Sequence, residues 1–120
     1  MPKGDDIEER LIGFAVRMIA LCSHLPNSTA GRHIGRQIMR SGTSPAPNYA
    51  EARSAESVND FIHKLRICLK ELNETRIWLR IITDSRLIKP ERLADLQTEC
   101  DELCRILAAS IKTATRRKNH

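Results

Sequence analysis

The feature that most limits what this chain can become is an unbroken heptad spacing through Val58, Phe61, Leu65, Cys68, Leu72, Thr75, Leu79 and Ile82. Alternating steps of three and four residues place all of them on one side of a helix. Ile62, Leu69, Trp78 and Ile81 widen the apolar surface beyond that seam. Ser57, with Asp60 three residues on, is a box-like helix start, and Asp84-Ser85 supplies the stop. A helix with so wide an apolar side must be covered by other helices.

Those helices can be read on either side of it. Ile7, Leu11, Phe14, Met18, Leu21, Cys22 and Leu25 have the spacing of one buried stripe, predicting a helix from Asp5 to Leu25 that Pro26 and Asn27 end. Ile12, Val16 and Ile19 form a second stripe beside it. A second helix starts at Ser28 or Thr29, turns Ile34, Ile38 and Met39 inward, and lines up Arg32, Arg36 and Arg40 on one face. The run from Ser41 through Pro45, Pro47 and Asn48 reads as a loop, or as a kinked continuation of that helix through Glu51. A last helix starts near Pro90 and turns Leu93, Leu96, Cys100, Leu103 and Leu107 inward. The fold class is therefore all-α: an antiparallel up-down-up-down four-helix bundle over residues 5–115, followed by a basic tail over residues 116–120.

Composition agrees with helix packing and narrows the class. Aromatic residues are only 3% of the 120-residue chain, fewer than a β-sandwich usually needs. No segment approaches the ~20 apolar residues that cross a membrane, and Met1–Arg10 lacks the apolar core of a secretory signal. A cytoplasmic location and no membrane contact are the expectations.

The net charge of +5 is unevenly spread. No Asp or Glu lies between Arg10 and Ala50, which holds Arg17, Arg32, Arg36 and Arg40. None lies from Leu103 to His120, which holds Arg105, Lys112, Arg116, Arg117 and Lys118. Two basic blocks point to a polyanion or an acidic protein as partner, with a solvated basic face as the plain alternative. In an up-down bundle, Arg40 and the Arg116–Lys118 cluster would share a pole with Asp5, Asp6, Glu8 and Glu9, and those acids would partly neutralise them.

Catalytic signatures are missing. There is no phosphate-cradling glycine loop, no defensible Ser–His–Asp order, and no helical Glu-x-x-His pair. Cys22, Cys68, Cys100 and Cys104 make no Cys-x-x-Cys pair and read as core residues. No metal or other cofactor is expected. Arg17 and His24, seven residues apart on one helix face, leave a helical ribonuclease as the remote enzymatic reading. Asn48 and Glu51, one short turn apart, read as side chains that satisfy backbone near the prolines. Trp78 either completes the core or, with the stripe of Ile12, Val16 and Ile19, anchors a contact between subunits.

Several motifs in order carry a family resemblance. They are Leu25-Pro26, Gln37-Ile38-Met39-Arg40-Ser41, Thr43-Ser44, Asn48-Tyr49-Ala50-Glu51, Asp60-Phe61, Leu65 and Lys70-Glu71-Leu72. From Ile7 to Ile111 the chain resembles the small bacterial four-helix-bundle proteins called 23S rRNA intervening-sequence proteins. The resemblance implies a left-handed bundle, often a homopentamer, whose second helix is kinked at the segment matching Ser41–Glu51. A related branch contains basic accessory proteins of diversity-generating retroelements, which work with a reverse transcriptase and bind nucleic acid. Ala52, where the family commonly has glycine, and the paired Pro45 and Pro47 depart from the pattern.

The leading expectation is a non-catalytic oligomer that binds structured RNA or DNA through Arg32, Arg36, Arg40, Lys112, Arg116, Arg117 and Lys118. So few aromatics leave phosphate contact rather than base stacking as the means. A protein scaffold, or an accessory subunit of a reverse transcriptase, is the alternative.

Overall fold

The computed structural model describes residues 4–120. Its helices are α1 (Asp5–Cys22), α2 (Thr29–Thr43), α3 (Pro45–Arg53), α4 (Val58–Asp84) and α5 (Ala94–Lys118), with a 3-10 turn at Pro90–Arg92. No strand occurs among the described residues. Serines open two of the helices: Gly31 N donates to Ser28 Oγ, and Asp60 N to Ser57 Oγ, each at 3.0 Å. Each cap satisfies an N–H that the first turn leaves without a partner.

The helix ends differ from expectation in three places. The first helix stops at Cys22, short of Leu25, because Ser23 Oγ and His24 Nδ1 both turn back onto the Ala20 carbonyl, at 2.7 and 2.9 Å. Near Pro90 the chain makes a 3-10 turn before the α-helix begins at Ala94. At the other end, Arg116, Arg117 and Lys118 belong to the last turn of α5, not to a tail. Cations there complement the helix dipole.

The kink predicted near Ser41–Pro47 is the junction of α2 and α3. Ser44 keeps helical angles (φ −66, ψ −37), so the chain bends without leaving its course. Pro45 removes one N–H of the ladder at that point. Asn48 Nδ2 donates to the carbonyl and the hydroxyl of Ser44, at 3.0 and 2.9 Å, and so steadies the bend. Glu51 does something else: it pairs with Lys64 of α4 at 3.1 Å. Because the helical course continues to Arg53, Arg40 lies midway along the bundle and not at its pole.

Neighbouring helices run antiparallel around a ring in the order α1, α2–α3, α4, α5. The sequence of cross-contacts shows the direction. Met18 meets Gly42, Cys22 meets Gly35, and Arg53 meets Asp5 and Glu8. Ser41 meets Thr75 and Arg40 meets Glu71, while Arg80 and Gln97 face one another. The result is a rod of 51 × 25 × 21 Å. At Gly42 any Cβ would run into the Met18 side chain, so glycine permits the close approach of α1 and α2.

The seam of α4 is buried from Leu65 to Ile82 as expected. At its first turn, however, Ile62, beside Thr115 and Lys118 of α5, is buried, while Val58 is exposed. Met39, expected inward, is 39% exposed, because the helix turns Ile38 and Ser41 to the core instead. Ser41 and Thr75 are the buried polar pair, with hydroxyls 2.8 Å apart. Thr75 donates to the Glu71 carbonyl, so Ser41 must donate to Thr75.

The α4–α5 connection begins with a Schellman motif. Leu87 N donates to Ile82 O at 3.2 Å and Arg86 N to Thr83 O at 3.1 Å. Arg86 therefore sits at φ 57, a left-handed position usually given to glycine.

Candidate nucleic-acid interface

Apart from Arg17 of α1, the two basic blocks of the sequence lie on α2 and α5, which are diagonal in the ring and share no face. They do not combine into one surface. On α2, Arg40 is held by Glu71, at 2.9 Å, and by Glu74. Glu74 also accepts from the Trp78 indole at 3.0 Å, and the Trp78 ring meets His33 edge-on. Arg40 thus serves the α2–α4 contact. Arg32 is exposed and donates to Asn27 at 2.9 Å, and Arg36 is exposed one turn further on.

Of the acids expected to neutralise the basic end of α5, Asp5 and Glu8 are engaged elsewhere. Arg53, at the end of α3, takes Asp5 at 2.6 Å and Glu8 at 3.3 Å. Those carboxylates, first Asp5, hold the Arg53 guanidinium above its ordinary pKa. Along α1, Arg10 bridges to Glu99 and Glu102 of α5 at 2.6 and 3.1 Å, which likewise raises its pKa, Glu99 foremost. Lys112, Arg116, Arg117 and Lys118 make no ion pair among the described residues, and all are exposed.

The cations of α5 then divide. Arg117 turns toward α1 and lines an apolar groove with Ile7, Tyr49 and Phe61. Lys118 turns toward α4. There Asn59, His63, Arg66, Thr115, Lys118 and Asn119 line a polar groove of about 380 Å3 with no carboxylate in its walls. Lys70 continues one turn beyond Arg66 on α4, and Arg105, Lys112 and Arg116 share an outward face of α5. Arg76 and Asp101 close this basic face at their 4.0 Å pair. His63, Arg66 and Lys70 are the contributors that sequence reasoning missed. They lie in the mixed middle of the chain, and their only signal was the four-residue step from Arg66 to Lys70.

The apolar stripes have separate places. Val16 (59% exposed) and Ile19 (54%) lie with Ile12 on the outside of α1, and Met39 of α2 is exposed as well. Ile77 (55%) and Ile81 stand out from α4, the helix diagonal to α1. Trp78 leans against the core between α2 and α4, so the exposed strip beside it is carried by those isoleucines.

The thiols lie apart from these surfaces. Cys68, Cys100 and Cys104 are buried and all four cysteines are free. Burial pushes the Cys68 thiol up to about 12, and the contact with Cys104, with burial, holds Cys100 protonated. No group of His, Cys, Asp and Glu among the described residues could hold a metal ion. No helix among them is long and apolar enough to cross a membrane.

These features define an all-helical, four-helix-bundle protein with a kinked second helix, one acid-free basic groove and uncovered apolar strips. The chain belongs to the family of 23S rRNA-intervening sequence proteins, which it matches over residues 6–109. It is similar to a crystal structure of a protein of unknown function from the S23 ribosomal protein family of Bacteroides thetaiotaomicron. The two are 37% identical with a TM-score of 0.83, over 88% of this chain and 98% of that one. No curated protein matches the chain. The family carries no assigned activity, and no catalytic family is identified.

Proposed function

We propose that this protein is a non-catalytic oligomer that holds structured nucleic acid by its phosphates along the α4–α5 face. The observation that carries the reading is the groove between Arg66 and Lys118, whose walls contain no carboxylate. Lys70, Lys112 and Arg116 extend it along the rod. Phosphate contacts of this kind give affinity with little sequence preference and a steep dependence on salt. Arg36 and Arg32 on α2 would touch a second stretch of the same polyanion, whereas Arg40, already neutralised, would not. Four free thiols suit a reducing, cytoplasmic setting.

Self-assembly is part of the proposal. Two different apolar strips, on diagonal helices, suit a head-to-tail contact in which the α1 strip of one copy meets the α4 strip of the next. Where the rotation between copies closes, such contacts make a ring, which we take to be the pentamer implied by the resemblance. Light scattering of the wild-type chain and of Val16→Asp tests it: a larger species reduced to monomer is expected, and a wild-type monomer at micromolar concentration overturns it. The same strips support the second reading, a scaffold or accessory subunit bound to another protein such as a reverse transcriptase. That reading gains if wild-type chain binds neither hairpin RNA nor duplex DNA at low salt.

A further inference from the structure

Arg17 and His24 have no part in the basic α4–α5 face. The fold brings them together with Arg92 and Asp95 at the opposite pole, around a groove of about 250 Å3 between the end of α1 and the start of α5. Leu21 and Ile88, both buried, form its apolar floor. The four polar side chains are exposed on its rim. Arg17, Arg92 and Asp95 make no ion pair with one another among the described residues, so the guanidinium groups are available to a ligand.

His24 is oriented for the same purpose. Its Nδ1 lies 2.9 Å from the Ala20 carbonyl, which can only accept. Nδ1 therefore carries a proton, which leaves Nε2 as the acceptor of the ring. Two guanidinium forks on one rim match the charge and the several acceptor oxygens of a phosphate monoester, and the acceptor Nε2 of His24 suits a hydroxyl donor. Asp95 repels a phosphate from its own side and accepts hydrogen bonds from hydroxyl groups. The apolar floor of Leu21 and Ile88 suits the face of a nucleobase, and the volume suits a single phosphorylated unit more than a tract of backbone.

We propose that this groove binds a nucleoside monophosphate, with Arg17 and Arg92 on the phosphate, and His24 Nε2 and Asp95 accepting from the sugar hydroxyls. The chemistry is the same whether the monophosphate is a free nucleotide or the phosphorylated end of an RNA chain. The site is distinct from the α4–α5 face and stands if that face binds nothing.

Calorimetric titration of the full chain with adenosine monophosphate and with adenosine is the test. The monophosphate is expected to bind and adenosine to bind at least about tenfold more weakly, the size of a lost charge-assisted contact. Arg92→Gln and, independently, Arg17→Gln are each expected to weaken the monophosphate by about tenfold, while leaving the melting temperature and the salt dependence of RNA binding as they are. Equal binding of the two ligands, no binding of either at about 1 mM, or unchanged affinity in both variants overturns the proposal. Competition by a short RNA that depends on its terminal phosphate identifies a chain end as the ligand. Competition indifferent to that phosphate identifies the free nucleotide.

Discussion

Removing the charges of the α4–α5 groove should change how binding responds to salt, and by an amount the structure fixes. Arg66, Lys70, Lys112, Arg116 and Lys118 are exposed cations on this face with no acid in the groove between them. On a probe short enough to span this face alone, with Arg32 and Arg36 out of its reach, and with each of these cations neutralising one duplex phosphate, log K falls with log salt at a slope of about −4.5, from about −0.9 per phosphate. A fourfold rise in salt then weakens binding by about 500-fold. The double substitution Arg66→Gln/Lys118→Gln removes the two groove-lining cations, leaving a slope of about −2.7 and a loss of about 40-fold over the same range. Fluorescence anisotropy of a labelled hairpin RNA and a labelled duplex DNA, repeated across a salt series, reads the slope directly. Arg40→Gln is the control, since Glu71 and Glu74 already hold that charge, and its slope should equal the wild type. A double variant with the wild-type slope, or an Arg40 variant that loses as much, would refute the assignment of the face.

Further predictions concern stability. Arg86→Gly should raise urea-unfolding stability by about 0.5–1 kcal/mol, because glycine adopts the left-handed angle freely but enters with more unfolded-state entropy. Thr75→Val strands the buried Ser41 hydroxyl and should cost about 1–3 kcal/mol, whereas Ser41→Ala/Thr75→Val should cost less than the sum of the single changes. Cys68 binds its proton more tightly folded than unfolded, so its contribution is complete below about pH 8.5 and is lost as pH rises toward 12, by about 1.4 kcal/mol per unit. Urea unfolding between pH 8 and 10 should show that decline, and Cys68→Ala should make it shallower by the share of one proton, Cys100 and Cys22 keeping theirs.

Much of the fold was legible because a helix records its burial in a short, local period. The α4 seam could be read from Leu65 to Ile82, and the Ser57 cap from two residues. The kink was legible from Pro45 and Pro47, though its course through Ser44 came from the resemblance. The miss at Met39 has a local cause: next to Ile38 on a helix edge, one residue of rotation decides which is covered. The candidate interface was harder to read, because it depends on which helices become neighbours. Reading charge along the chain joined α2 to α5, yet the ring puts them on a diagonal. It also misplaced two of the acids: the helix continued to Arg53, which took Asp5 and Glu8 away from the end of α5.

By itself, then, the sequence determined the helices, their inward faces and the bend at the prolines, since these follow from spacing and backbone chemistry within a few turns. Only the tertiary structure decided that Arg66 and Lys118 share a groove, that Arg40 is neutralised, and that Arg17, His24, Arg92 and Asp95 meet at one pole. A charge acts through space over a few ångströms, and the chain that separates these residues carries no local sign of that distance.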